Sequence, residues 1–548
     1  YFEGRWVELG ARAAGVLTPL SLWLLRTRLD NMGEGGGGGA RAKGKGNSVE
    51  VIRARELRAI LEELGPTFVK IGQSLSLRPD VVQSPAYLRE LEGLQDSVGT
   101  FPTEKAFEII KEDLKRSPKD IFEFESFDPI ASASIGQVYR ARLREPVGNV
   151  SVVAVKVQRP DALNSAIVDM YLIRRLAAFV KKTLGLRTDL VGVVDQFGKA
   201  LFGELDYNVE AANQNKFRDL YSGMEITVPK SLLSLTSRRV LTTEWLQGEK
   251  GPWEDGQRMV EIGLKCSIKQ ILSEGYFHAD PHRGNLLRTP QGNLGYLDFG
   301  LMASITEAQR NSIVGAAVGL QNQEWRVVAE NMKIMGFIPD GYPIEEFVPP
   351  LRAAFVDAQG GDEAAGPRAL SLGKLARNIQ GLAREFPIRI PAWYSIILRT
   401  LLILEGLAIS RDRNFKLLEA AYPYIIQVLL KADSPTLQKT LKDVIIYPNN
   451  GTLRWRRIRK LLALSSTAGK MQTTQMQTED GGTQALVSRE TVKNVLDFIY
   501  SDKGTFVREP LTSELIEVLD LAQLEIQDSL KATLLPRAPP PFPPPAPV

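Results

Sequence analysis

The sequence has little of what most metal, redox and nucleic-acid sites require. Its 548 residues include one cysteine, Cys266, and two histidines, His278 and His282. A single cysteine excludes an intramolecular disulfide framework and any cysteine-rich zinc or iron–sulfur site. Two histidines, four residues apart, exclude a multi-histidine metal centre. Charge of one sign is also scarce. Lys and Arg number 68 against 64 Asp and Glu, a net +4, too small a bias over this length to imply nucleic-acid binding. The apolar stretch Ala14–Leu25 falls short of the roughly 20 residues that span a bilayer. Arg5, Arg12, Arg26 and Arg28 flank it. It reads first as a helix packed on its own domain, with a membrane-surface role as the alternative. Trp393–Ile409 is more apolar but carries Arg399 and Glu405, which makes it a buried core helix rather than a span.

What is present is an ordinary globular composition, 44% apolar and 24% charged, enough to bury a sizeable core in several domains or one elaborated one. Gly35–Gly39, followed by Lys43 and Lys45, reads as a flexible basic linker. Residues 48–115 have helical periodicity, with Gly65-Pro66 opening one helix and Pro79 closing it. From about 122 to 158 the pattern becomes short β-type runs. Val138–Leu143 alternates apolar and basic residues, and Val152–Val157 is a buried strand containing one lysine, Lys156. Helix returns over 160–220, and Val240–Leu246 is again a strand. Beyond 255 the chain is mostly helical, interrupted over 278–303 by two loops around a short strand, Leu294–Leu297. Residues 465–485 form a polar linker, helices follow near 487–499 and 511–530, and Pro536–Val548 is a proline-rich tail. A strand-rich part followed by a helical one predicts a two-lobed α+β enzyme with a cleft between the lobes.

The residues that carry chemistry cluster around that cleft. Asp280 is followed by Asn285, five residues on, and by Asp298-Phe299-Gly300, thirteen further. Phosphoryl transfer needs a polar group to meet the attacking hydroxyl and two groups to hold metal, and these spacings match H-x-D-x-x-x-x-N and D-F-G of protein kinases. Lys156 is a charge inside an apolar strand, costly unless paired, and sits where a kinase lysine binds phosphates. Glu204, Asp206 and Glu210 would share or nearly share a helix face and repel one another unless cations such as Lys156 or Lys70 meet them. The glycine-rich phosphate loop is missing. Ala131, Ser132, Ala133, Ser134, Ile135 and Gly136 stand in its place, ahead of Val138, and make a stiffer cradle. Lys70 and Gln73 lie three apart on one helix face, with Gly72 between them implying close backbone contact.

Taken together, KxGQ at Lys70–Gln73, the alanine-rich loop, ExD at Glu204–Asp206 and HADPHxGN at His278–Asn285 resemble the UbiB (aarF-domain) family of atypical protein-kinase-like proteins over roughly residues 50–430. The resemblance implies a two-lobed protein-kinase-like α+β fold with N-terminal and C-terminal helical extensions. The implied segments are a membrane-proximal stretch and linker (1–47), a KxGQ-bearing helical extension (48–121), an N-lobe with inserted helices (122–250), a C-lobe (251–430), a C-terminal helical extension (431–535) and the tail (536–548). It further implies that Lys70 plugs the site, held by Glu204 and Asp206, and that Glu210 pairs with Lys156. Asn285 and Asp298 would hold Mg2+, and Asp280 would stand at the general-base position. Adenine of ATP would meet backbone near Glu244, Trp245 and Leu246. Arg283 and Ser132 depart from the usual proline and alanine of the family.

The resembling family supports isoprenoid-quinone metabolism. The implied partners are ATP, a lipid or membrane surface, prenyl-lipid enzymes and a second copy of the chain, with no nucleic acid. The Leu77–Asp80 stretch (LRPD) and the long C-terminal extension lean towards a plastid member at thylakoid-associated lipid droplets, with a mitochondrial one as the alternative. The competing functions are an orthodox protein kinase acting in trans, disfavoured by KxGQ and the absent glycine loop, and a nucleotide-sensing scaffold without turnover.

Overall fold

The computed structural model describes residues 6–34, 41–76, 84–95, 99–184, 190–361 and 370–409 with few interruptions, and scattered stretches between 417 and 516. The expected linker at 465–485, nearly all of the helices at 487–499 and 511–530, the glycine run, Pro79, the Arg283 side chain and the proline-rich tail lie outside the described residues.

Four helices come first: α1 (Trp6–Glu34), α2 (Arg41–Leu64), α3 (Pro66–Ser76) and α4 (Pro85–Glu92). α2 starts at Arg41, so part of the stretch expected to be linker is helical. Once a packed segment has nucleated, adding a residue costs little even where glycine is unfavourable. Gly65 has φ +102°, a conformation suited to glycine, and Pro66 restarts the chain as α3 with its φ already helical. Val16, Leu61, Leu64, Phe68, Val69, Leu91 and Leu94 form the core of this unit. At Gly72 a Cβ would run into Leu94 and come within 3.0 Å of Leu61, so the glycine expected to mark close contact does so. α1 uses one face for this core, through Val16 and Leu20. Its other side leaves Trp6, Val7, Leu22, Leu24, Leu25 and Leu29 exposed.

α5 (Thr103–Leu114) and α6 (Pro118–Ile121) lead into β1 (Phe122–Phe124), β2 (Ala131–Ser132), β3 (Gly136–Val147) and β4 (Val150–Gln158). Three helices follow, α7 (Ala162–Leu184), α8 (Leu190–Glu204) and α9 (Tyr207–Leu220), and then β5 (Ile226–Thr227) and β6 (Val240–Glu244). β1, β3, β4 and β6 form an antiparallel sheet in that order, with β2 on β3. Side chains alternate across a strand. Val153, Val155 and Val157 therefore bury against Ile109 and Ile110 of α5. Ala154 and Lys156 point the other way, opposite Thr243 and Leu241 on one side and Arg140 and Val138 on the other.

β7 (Glu249–Lys250), α10 (Gly256–Lys269), β8 (Tyr276–His278), β9 (Leu286–Arg288), β10 (Leu294–Tyr296) and β11 (Met302–Ser304) follow. β5, β10, β9 and β7 form one small sheet, and β8 pairs with β11 in another. These short ladders hold the 278–303 loops. The rest is helical: α11 (Glu307–Gln321), α12 (Trp325–Ile334), α13 (Ile344–Ala358), α14 (Leu372–Glu385), α15 (Ala392–Ile409) and α16 (Pro435–Ile445). α15 packs its Ile397, Leu401 and Leu402 into the core beneath the loops. Among the described residues no helix is long and apolar enough to cross a membrane.

One ion pair ties α1 to the strand-bearing part. Arg12 donates to both carboxylate oxygens of Asp169 on α7, at 2.7 and 2.9 Å, and to the Leu64 carbonyl at 2.7 Å. The Asp169 side chain is 1% exposed, so removing Arg12 strands a buried charge. Arg12→Ala is expected to destabilise the helical unit by about 2–4 kcal/mol. Arg174→Ala, which breaks an exposed pair with Asp195, should cost at most about 1 kcal/mol. Thermal unfolding together with hydrogen exchange over α1 measures both.

Candidate active site

The alternation of β4 sets the position of Lys156, and burial dictates what must meet it. Its ammonium donates to both oxygens of Glu210, at 2.8 and 2.9 Å, and lies 3.5 Å from Asp298 Oδ2. Burial works to lower the lysine, but Asp298 and Glu210 outweigh it and hold the ammonium well above its usual range. Glu210 is pushed above the ordinary carboxylate range, chiefly by burial. Burial acts the same way on Asp298, yet Lys156 and the Gly300 N–H, 2.9 Å from Oδ1, more than offset it and hold this carboxyl far below its usual value.

The chain leaves the helix between Glu204 and Tyr207, so the three carboxylates do not share a helix face. Glu204 ends α8, and Asp206 is the N-cap of α9, accepting from the Asn208 N–H at 3.0 Å. This break aims the acids at different partners. Glu204 takes Lys70 at 2.5 Å and Glu210 takes Lys156. Asp206 does not join the Lys70 pair, because its carboxylate is committed to a helix terminus with unsatisfied N–H groups. Burial opposes the Lys70 charge, but Glu204 keeps its ammonium above the normal lysine range. Gln73 donates to the Leu94 carbonyl at 3.0 Å.

These side chains line one cavity of about 520 Å³. Of the expected site residues, Lys70, Gln73, Ala131 to Ile135, Val138, Lys156, Glu204, Glu210, Glu244, Trp245, Leu246, Asp280, Asn285 and Asp298 line it, while Gly136 and Asp206 do not. Gly136 acts beneath the loop. A Cβ there would come within 2.7 Å of the Val157 carbonyl and collide with the Tyr207 hydroxyl. Ser132, the departure from alanine, bonds the Gly99 carbonyl at 3.2 Å. The Glu244 and Trp245 amides already donate to Lys230 and Val152 carbonyls, at 2.8 and 2.9 Å.

Sequence reasoning gave no role to Arg159 or Arg399 and named His278 only as the first residue of a motif. Arg159 staples the alanine-rich loop, donating to the Ser134 and Ala133 carbonyls at 3.1 and 3.3 Å, to Ser132 Oγ at 3.1 Å and to the Gly99 carbonyl. His278 joins the two loops: its Nε2 bonds the Asp298 carbonyl at 2.5 Å, and its Nδ1 accepts the Asp280 N–H at 3.1 Å. Arg399 lies 3.4 Å from Asp280 Oδ1. The only signal for Arg399 was a charge in an apolar helix, which excluded a membrane span but named no partner. Among the described residues no group of three or more His, Cys, Asp and Glu side chains could hold a metal by itself. An Asn–Asp pair suits a cation that completes its shell with water and phosphate oxygens, the habit of Mg2+.

A family model, the ABC1 atypical kinase-like domain, matches residues 93–332. A protein of Synechocystis sp. is 35% identical over 530 residues, 95% of this chain and 72% of that protein. A chloroplastic aarF domain-containing protein kinase of Arabidopsis thaliana is 37% identical over 479 residues, 87% of this chain and 67% of the relative. A third relative, ACTIVITY OF BC1 COMPLEX KINASE 3, chloroplastic, also from Arabidopsis thaliana, is 39% identical over 424 residues, 76% of this chain and 58% of its own.

The charge network predicts a pH signature. A carboxylate held low, as Asp298 is, stabilises the fold above its unfolded pKa and loses that contribution as pH falls through its folded value. In Lys156→Met, Asp298 loses its cation, so its protonation relieves the fold instead of costing it, and Glu210, already held high by burial, is pushed higher still. The gap in Tm between wild type and Lys156→Met should be widest at neutral pH and narrow on acidification, measured from pH 7 to pH 4. A gap that widens contradicts the assignment.

Proposed function

The chain belongs to the ABC1 atypical kinase-like family, and from that premise we propose that it is an atypical kinase or ATPase that binds Mg-ATP and supports prenyl-lipid metabolism at a plastid membrane. The observation that carries the proposal is Lys156 held between Glu210 and Asp298 in a cavity shared with Asn285 and Asp280. A phosphoryl group in transfer needs fixed cations and in-line positioning more than covalent help. Lys156 is a fixed cation for the phosphates, and the stapled alanine-rich loop offers its backbone above them. Adenine sits at the Glu244–Leu246 edge, where two of the three amides are already committed, so Leu246 supplies the donor. Asn285 and Asp298 would hold magnesium, which when bound would neutralise phosphate charge.

Asp280 receives a hydrogen bond from the acceptor O–H. The acceptor oxygen bonds to the γ-phosphorus, the bond from phosphorus to the bridging oxygen breaks, and ADP leaves with that electron pair. The acceptor proton passes to Asp280. The Lys70–Glu204 pair stands inside the same cavity, where a protein acceptor would have to enter, and this disfavours an orthodox kinase acting in trans.

The plastid location is supported by chloroplastic relatives. The prenyl-lipid role is supported by the resemblance to quinone-supporting proteins. Contact with a membrane surface is supported by the exposed Trp6, Leu22, Leu24, Leu25 and Leu29 of α1, an apolar face with arginines beside it.

Steady-state phosphate release with Mg-ATP, with and without liposomes carrying a prenylquinone precursor, tests the reading. Turnover that rises with liposomes and falls on the order of 10²-fold in Asp298→Asn is expected. Release that survives Asp298→Asn removes the magnesium role. Tight nucleotide binding without turnover in the wild-type protein replaces the enzyme with a nucleotide-sensing scaffold.

A further inference from the structure

Arg399 is a charge that its own helix cannot account for. It sits on α15 between Ile397 and Leu401, both packed in the apolar core beneath the loops, and its side chain is only 18% exposed. A guanidinium so placed needs a partner, and among the described residues it finds Asp280, whose Oδ1 is 3.4 Å from Nη2. That oxygen is buried and has no hydrogen-bond partner, although the Asp280 side chain as a whole keeps 26% of its exposure. The exposure therefore belongs to the rest of the side chain, and Asp280 lines the cavity. Arg399 does not line that cavity, so it acts on the site only through Asp280.

We propose that Arg399 is a positioning residue for Asp280: it draws Oδ1 into the protein from behind and thereby presents Oδ2 alone to the acceptor hydroxyl. The backbone of Asp280 is fixed independently. Its N–H donates to His278, whose other ring nitrogen bonds the Asp298 carbonyl, and the Ala279 N–H donates to the Leu301 carbonyl at 3.0 Å. One anchor sets the loop against the Asp298 side of the site, and Arg399 sets the carboxylate rotation. The assignment rests on the enzyme reading of the site. It adds a residue from a helix more than 90 positions beyond the Asp298 loop.

The test measures kcat, KM for ATP and the Kd of ATP for wild type, Arg399→Gln, Arg399→Lys, Asp280→Asn and the double variant Asp280→Asn/Arg399→Gln. Misplacing a reacting group costs rate and not ground-state affinity. Arg399→Gln should lower kcat about 10- to 100-fold while KM and Kd stay within about twofold. Arg399→Lys, which keeps the charge, should recover most of the rate. In the Asp280→Asn background Arg399→Gln should cost nothing further. Unchanged kcat, a parallel loss of ATP affinity, or additive losses in the double variant overturn the assignment. If the wild-type protein binds ATP but turns none over, the enzyme reading fails by itself and thermal unfolding reports on the pair. Arg399→Gln must then lower Tm in the wild-type background and not in Asp280→Asn, and equal losses in both overturn the pairing.

Discussion

A lysine ammonium placed inside a β-sheet is the constraint on which the rest of the site depends. Desolvating a charge costs several kcal/mol even after the protein relaxes, and β4 has no way to turn Lys156 outwards without exposing Val153, Val155 and Val157 instead. The cost is offset only if carboxylates arrive from elsewhere in the chain. Glu210 reaches it because α8 stops at Glu204 and α9 starts again at Tyr207. Asp298 reaches it because β10 and β11 are each pinned to a partner strand and leave the loop between them at the sheet face. Each pairing locates a separate element relative to the sheet, so one buried charge fixes the position of a helix and a loop that no local preference would bring together.

The second pair, Lys70 with Glu204, extends the same logic to the helical unit at the front of the chain. α3 delivers Lys70 because Gly72 lets it approach Leu61 and Leu94 closely, and Arg12 with Asp169 ties α1 to α7 on the same side. Two cations, Lys70 and Lys156, then face three carboxylates, Glu204, Glu210 and Asp298. The surplus negative charge lies at Asp298, where burial is outweighed and the carboxylate stays ionised. An ionised acid beside a polar amide is a fitting place for a divalent cation, and the fixed lysine opposite is a fitting place for phosphate. Asp280 stands apart from this balance, with its own cation in Arg399.

Much of this was legible in the sequence because it is local. The two-residue period of β4 places Lys156 on the face opposite Val153, Val155 and Val157, and the five- and thirteen-residue spacings place Asp280, Asn285 and Asp298 on neighbouring loops. Gly65-Pro66 marks a helix boundary by backbone geometry alone, and Gly72 marks a close approach for the same kind of reason. What was not legible depends on long-range geometry. Asp206 and Glu204 look equivalent as a spaced pair, but only the end of α8 shows that one is a cap and the other a counter-ion. Arg159 and Arg399 carry no motif, since an arginine bonding carbonyls or a distant aspartate leaves no periodic trace. The start of α2 at Arg41 reflects cooperative helix growth that glycine and lysine content does not reveal.

The central claim is that the cavity between the Lys156 sheet face and the Asp280–Asp298 loops is where nucleotide binds. Hydrogen exchange of the full chain with and without Mg-ATP measures this most directly. The account predicts slowed exchange over Ala131–Gly136, at Leu246 and over Asp298–Gly300, with the protection at Asp298–Gly300 depending on magnesium. Unchanged exchange in those segments at saturating Mg-ATP, or protection confined to another part of the chain, would contradict it.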